Sequence, residues 1–98
     1  MRLSYHAEAE RELVEAAAFY EGRSRGLGER FLHEFDAAIA QIKTHPERFA
    51  IVEGDLRCYA MKRFPFAIYY RAGGDELRVL VVKHHSRHPD YWRRRLGQ

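Results

Sequence analysis

The chain holds one cysteine, Cys58, together with three prolines and one tryptophan in 98 residues. A lone cysteine cannot close an internal disulfide, so the fold must stand without covalent staples. No apolar run approaches the roughly 18 residues that a membrane-spanning helix needs, and no membrane partner is expected. The opening stretch Met1-Arg2-Leu3-Ser4-Tyr5-His6 lacks the apolar segment of a secretory signal, which makes a reducing cytoplasm the expected setting. No Gly-rich phosphate loop follows a strand, and neither a His-Glu-x-x-His helix nor a paired Cys-x-x-Cys occurs. A Gly-x-Ser-x-Gly nucleophile turn is also missing. His84, His85 and His88 crowd together, but their spacing is not that of a zinc site and Cys58 lies on another strand. No metal and no cofactor are therefore expected.

What is present is an ordinary globular composition, 46% hydrophobic and 32% charged, which excludes a mainly disordered chain or a coiled-coil rod. The length suits one domain, residues 1–98, which would bury roughly 60–70% of its unfolded surface. Charge is unevenly placed. Residues 1–50 carry 7 Lys/Arg and 9 Asp/Glu, a balance of −2; residues 51–98 carry 10 and 5, a balance of +5. A basic C-terminal half suits an anionic partner, or equally a solvated arginine-rich face.

Arg2–Tyr5 alternates and predicts a short strand. From Ala7 the period becomes helical, with Ala9, Leu13, Ala17 and Tyr20 on one stripe and Glu8, Glu10, Glu12 and Glu15 crowding the opening turns, where the helix dipole favours acid. Gly22-Arg23-Ser24-Arg25-Gly26 breaks this helix. Phe31, Phe35, Ala38, Ile39 and Ile42 mark a second, limited by Pro46. Two amphipathic helices with a short connection predict an antiparallel hairpin. The period then drops to two. Leu56, Cys58 and Ala60 alternate with Arg57, Tyr59 and Met61, and the aromatic run Phe64–Arg71 is joined through Gly73-Gly74 to Leu77–Val82, a hairpin signal. Val79-Leu80-Val81-Val82 is apolar on both faces, as a central strand requires. Pro89 and Asp90 suit the start of a short terminal helix and Arg93, Arg94 and Arg95 its end. The expected class is α+β: an N-terminal strand, a helical hairpin packed on one face of a small, mainly antiparallel sheet, and a short C-terminal helix.

The chemically capable residues are cationic or acid–base: Arg57, Lys62, Arg63, His84, His85, Arg87, His88 and Tyr91. A histidine at a strand end could move a proton. Arg57 and Arg87 could hold a phosphate with their forked donors, and Tyr91 could stack on a base. Each has a plainer alternative: a histidine bonded to backbone, arginines in surface ion pairs, an aromatic anchor over the sheet end. Trp92 is expected as an aromatic anchor covering the sheet end, and the Phe64-Pro65-Phe66 corner, with Tyr69 and Tyr70, is expected in the core, as is Cys58.

Several segments in order carry a resemblance: Tyr5-His6-Ala7-Glu8-Ala9-Glu10, Phe19-Tyr20-Glu21, Gly26-Leu27-Gly28 before Phe31-Leu32, and Pro46. Leu56-Arg57, Arg63-Phe64-Pro65-Phe66-Ala67-Ile68-Tyr69-Tyr70, Val79-Leu80-Val81-Val82-Lys83-His84 and Arg87-His88-Pro89-Asp90-Tyr91-Trp92-Arg93-Arg94-Arg95 complete the set. Together, over almost the whole chain, they resemble the RelE/ParE superfamily of toxins from bacterial type II toxin–antitoxin (plasmid stabilisation) modules. The chain departs from the family pattern at Ala7, where proline is usual, at Phe66, where tyrosine is usual, and at His88, where Asp or Arg is usual. The resemblance implies a cytoplasmic growth inhibitor held inactive by a protein antitoxin, in a toxin–antitoxin hetero-oligomer. It offers two targets. RelE-like members cut messenger RNA on the ribosome without a metal; there His84 would serve as acid or base, Arg57 and Arg87 would stabilise the phosphorane, and Tyr91 would stack or orient. ParE-like members poison DNA gyrase and have no known nuclease chemistry. Lys62, Arg63, Arg93, Arg94 and Arg95 are the expected contacts to nucleic acid or partner. The lysine-rich second strand of the RNA cleavers is reduced here to Lys62, which tips the expectation toward gyrase. A remnant that only binds antitoxin is the third reading.

Overall fold

Why the first helix starts where it does is visible in its cap. In the computed structural model, which describes residues 1–97, the Nδ1 atom of His6 accepts the backbone N–H of Glu8 at 3.0 Å, and helix α1 runs Ala7–Arg23. The His6 cap supplies the start signal that Ala7 cannot. Ala9 and Ala16 are buried, with Leu13, Ala17 and Tyr20 half-buried beside them. Helix α2, Leu27–Thr44, buries the whole expected stripe of Phe31, Phe35, Ala38, Ile39 and Ile42. Its entry is built on two glycines. Gly26 has φ +84°, the left-handed region, and the Glu21 carboxylate accepts the N–H groups of Gly26 and Gly28 at 2.9–3.1 Å. Glu21 of α1 thus caps the free donors of α2. A Cβ on Gly28 would sit 2.4 Å from the Ala17 carbonyl oxygen, so this glycine sets how closely the two helices approach.

Five strands form one sheet in the order β1-β5-β4-β3-β2: β1 Arg2–Tyr5, β2 Ile51–Glu53, β3 Leu56–Ala60, β4 Phe66–Gly73 and β5 Glu76–His84. β1 runs parallel to β5 and every other pair is antiparallel. The class is α+β, as expected, with one strand more than the periodicity predicted. β2 is three residues long and wholly exposed, too short to alternate visibly. Its signal was the Gly54-Asp55 turn, the same dipeptide that closes the β4–β5 hairpin. That second turn is Gly74-Asp75 rather than Gly73-Gly74: Gly73 stays in the ladder opposite Glu76, and Gly74 alone takes positive φ, +57°.

A bulge in β5 decides which side chains face which way. Tyr69 pairs with Val81 and Tyr70 with Val79, so Leu80 has no partner across the ladder. An extra residue flips the parity of everything after it. Leu77, Val79 and Val82 pack in the core beneath the helices, with Phe31, Phe35, Ile42, Ile68 and Tyr70. Leu80 and Val81 both turn to the opposite face, where Leu56 and Trp92 enclose them. Trp92 belongs to a C-terminal segment that crosses this second face. The segment ends in a 3-10 turn, Arg93–Gly97, rather than in an α-helix beginning at Pro89. Its bonds run from Arg93 N–H to the Asp90 carbonyl and from Arg95 N–H to the Trp92 carbonyl, the tighter three-residue pattern. No helix among the described residues is long and apolar enough to cross a membrane.

Gly28→Ala should destabilise the protein by about 1–3 kcal/mol, the ordinary cost of overpacking, because the clash is with backbone and not with a flexible tip. Urea unfolding measures it. An unchanged midpoint would show that the helices part without penalty.

Candidate functional site

The parity shift in β5 turns its last residue, His84, toward α1. Its ring meets Phe66 edge-on at 5.1 Å between centroids. Its Nδ1 accepts the Ser86 N–H at 3.0 Å and lies 2.8 Å from the Ser86 hydroxyl, which leaves Nε2 to carry the proton of the neutral ring. A cleft of about 170 Å³ opens here, lined by Glu12, Glu15, Ala16, Phe66, Val82, His84 and Arg87. The Arg87 guanidinium lies 3.9 Å from the centre of the Tyr91 ring. Three of the four residues expected to act together, His84, Arg87 and Tyr91, are therefore gathered at one end of the sheet.

The fourth is not. His84 pairs with Phe66 and Arg57 with Tyr70, an offset of four residues along β4, or about 13 Å at the rise of a strand. The Arg57 guanidinium is given to the chain before β2, donating to the carbonyls of Glu47 at 3.1 Å and Phe49 at 2.8 Å. Lys62 and Arg63 are exposed on the loop before β4, and Arg63 stands 3.8 Å from Glu34. Arg94 is exposed on the terminal turn; Arg93 bonds Asp90 at 2.9 Å and pairs with Glu53 of β2. Arg95 is different in kind. It is buried, and its guanidinium is held by Glu12 on α1.

Glu12 is the residue that sequence reasoning passed over. One carboxylate oxygen accepts Arg95 Nη1 at 2.8 Å and the Val82 N–H at 3.0 Å; the other accepts the Tyr91 hydroxyl at 2.6 Å and Arg95 Nη2 at 2.9 Å. Arg95 Nη1 also donates to the Leu80 carbonyl at 3.1 Å. These backbone groups lie where β5 has run past the end of β1, whose pairing stops at Tyr5 and Val79. Glu12 was grouped with the other acids of the first turns, yet it lies between Ala9 and Ala16 at three- and four-residue spacing, on the buried stripe. Burial, together with the bond to Glu12, holds the Tyr91 phenol well above its ordinary ionisation range, against the weaker opposing pull of Arg87 and Arg95. Burial also raises the Cys58 thiol, partly offset by Lys83.

The sequence pattern described as the ParE toxin of type II toxin–antitoxin systems, parDE, matches residues 3–89. The chain belongs to the ParE toxin family. Among solved structures, this ParE-family chain is similar to one described as a chromosomal ParDE toxin–antitoxin system from P. aeruginosa, with a TM-score of 0.60 and 19% identity over 86% of this chain and 95% of that one. At that identity the likeness is one of fold. No curated protein matches the sequence significantly. The family assignment makes the chain a toxin of a type II toxin–antitoxin module. Within the ParE family frame, the matched region ends at Pro89, before Tyr91 and Arg95.

The raised Tyr91 phenol has a signed consequence. The fold favours its neutral form, so this contribution to stability is whole below the unfolded value of about 10 and is lost as pH climbs above it. Tyr91→Phe should lower stability by about 1.5–3 kcal/mol at neutral pH, the worth of a hydrogen bond to a charged group, and should flatten part of the alkaline decline. Urea midpoints taken across the alkaline range check both, and parallel curves for the two proteins would contradict the assignment.

Proposed function

We propose that this ParE-family toxin arrests growth by binding DNA gyrase, without cleaving RNA, and that a cognate antitoxin neutralises it in the cytoplasm. The observation that carries this reading is the charge inside the His84 cleft. Two carboxylates, Glu12 and Glu15, line it against one arginine, Arg87. Arg95 neutralises Glu12, so the four charges sum to zero. A phosphodiester gaining charge toward a phosphorane needs an excess of donors aimed at it. The arginine that would complete such a set, Arg57, is spent on loop carbonyls about four residues further along the sheet. A binding role asks less. Arg93 and Arg94 of the terminal turn and the outer face of the helical hairpin are available as contacts, and Lys62 and Arg63 add charge at the sheet end. An antitoxin segment rich in Asp and Glu suits these cations, with affinity that falls as salt rises.

The RNA-cleaving alternative draws on a specific observation too: His84, Arg87 and Tyr91 share one site. The two readings separate cleanly. Purified toxin added to a gyrase supercoiling reaction should inhibit it, and His84→Ala should inhibit as well as wild type. Primer extension on messenger RNA from a translating ribosome mixture should show no new 5′ ends. Cuts within A-site codons that vanish in His84→Ala, with supercoiling untouched, would replace the gyrase reading with the nuclease one.

A further inference from the structure

The C-terminal segment 90–97 crosses the second face of the sheet, and most of its attachments are weak. Arg93 reaches Glu53 of β2 from an exposed position, and the Leu96 carbonyl receives Arg71 at 3.2 Å from the half-buried edge. Ion pairs of this exposed kind hold little. Trp92 is buried against Tyr69 at 5.1 Å, but its indole N–H has no hydrogen-bond partner among the described residues, so apolar contact alone seats it. Among the described residues the inward polar attachments of the segment gather at Arg95, which makes two bonds to Glu12, joined there by Tyr91 of the same segment, and one to the Leu80 carbonyl. Glu12 stands on α1, 83 residues away in sequence, within the first three turns of the chain's first helix.

We infer that Glu12 is the positioning residue of the toxin's C-terminal segment: its carboxylate, by gripping Arg95 and Tyr91 over the uncovered edge of β5, holds the turn bearing Arg93 and Arg94 in the one placement that can engage the target. The functional half of this inference rests on the gyrase reading above; the structural half does not. The physical reason is what happens when the grip is removed. In a Glu12→Gln protein, Arg95 keeps its charge in the same enclosed place, met by a neutral amide oxygen and the Leu80 carbonyl but by no counter-charge. A charge left unpaired in the interior is far more costly than one in water. Moving a whole strand would break the ladder, whereas swinging the terminal turn outward returns Arg95 to solvent and breaks no ladder bond, at the cost of unseating Trp92 from Leu56, Leu80, Val81 and Tyr69. The segment therefore leaves first, and the helices and sheet remain.

Trp92 is the chain's single tryptophan, which makes the inference measurable. Glu12→Gln and Tyr91→Phe are prepared, each checked by far-ultraviolet circular dichroism and by the tyrosine-region signal of the core, and compared with wild type for acrylamide quenching of Trp92 and for inhibition of gyrase supercoiling. Glu12→Gln should raise the quenching constant about threefold or more, shift emission to the red, and weaken inhibition at least tenfold. Tyr91→Phe, which leaves the Arg95 pair in place, should fall between it and wild type in both. The charge swap Glu12→Arg with Arg95→Glu, which restores a pair across the same gap, should recover part of both signals; a purely steric role for Glu12 would leave the swap as impaired as the single change. Trp92 equally shielded in folded Glu12→Gln and Tyr91→Phe overturns the inference, because apolar packing would then be holding the segment. An exposed Trp92 with undiminished inhibition overturns its functional half, because the target would be met elsewhere on the molecule. Failure of wild-type protein to inhibit gyrase at all sinks the gyrase reading instead, and the quenching result alone then decides whether Glu12 positions the segment.

Discussion

A carboxylate taken out of water is tolerable only when its lone pairs are met, and Glu12 meets that condition with four donors from three residues, Val82, Tyr91 and Arg95. The need arises from topology. β1 is four residues long and β5 nine, so β5 outruns its parallel neighbour and leaves a strand edge beside α1 with nothing to pair it. Buried backbone groups without partners are costly. Glu12 takes the Val82 N–H, Arg95 supplies the Leu80 carbonyl, and the two then neutralise each other. A buried pair of this kind adds little over an apolar filling, but removing one member costs about 3–5 kcal/mol because the other is left charged in the interior. The pair is thus better understood as specifying an arrangement than as raising stability. It ties the first helix, the end of β5 and the last turn of the chain into one register.

The Leu80 bulge is the second constraint, and the two are linked. Without the extra residue, alternation along β5 would send Val82 and His84 to the face opposite Val79. With it, Val82 stays under the helices and His84 reaches the cleft beside α1, while Leu80 and Val81 together form the apolar seat for Trp92. The bulge also places the Leu80 carbonyl where Arg95 can reach it. A single inserted residue therefore supplies the histidine of the candidate site, the hydrophobic contact of the terminal segment and one acceptor of its polar anchor.

Much of this architecture is legible in the sequence, and what is not has identifiable physical reasons. The α2 stripe from Phe31 to Ile42 and the doubly apolar Val79–Val82 were legible because burial imposes a period that composition displays. β2 escaped because three exposed residues carry no period, although the Gly54-Asp55 turn marked it. The terminal segment was expected to be α-helical from its Pro and Arg placement. The segment instead buries Trp92 against Leu56, Leu80 and Val81 and follows it with a 3-10 turn. Within the candidate site, His84, Arg87 and Tyr91 are close in sequence, and the fold keeps them together at one end of the sheet. Proximity in sequence could not foretell that Arg57 points to the loop before β2, nor that Arg95 is buried, because a run of three arginines reads as solvent-facing until a partner 83 residues away is known. Glu12 had a signal after all, its place on the Ala9–Ala16 stripe, but acid near a helix start has a sufficient explanation in the dipole, and that explanation hid it.

The same geometry explains why a shared scaffold need not share chemistry. A histidine at the end of β5 can move a proton only if a phosphodiester comes to rest beside it, and what brings a polyanion there is surplus positive charge. In this chain the nearest cations are already answered: Arg95 by Glu12, and Arg87 by its stack on Tyr91 in a cleft that Glu15 shares. At an effective dielectric constant near 20, one unopposed charge at 5 Å is worth about 3 kcal/mol, roughly two orders of magnitude in local occupancy. On the gyrase reading, drawing RNA to this cleft would take the exchange of an acid for a base on α1, and on the anchoring inferred above Glu12 could not be that acid without releasing the end of the chain. On the same anchoring, the Glu12–Arg95 pair that fixes the C-terminal segment adds no net charge to the cleft, while Arg94 of the same turn stands exposed.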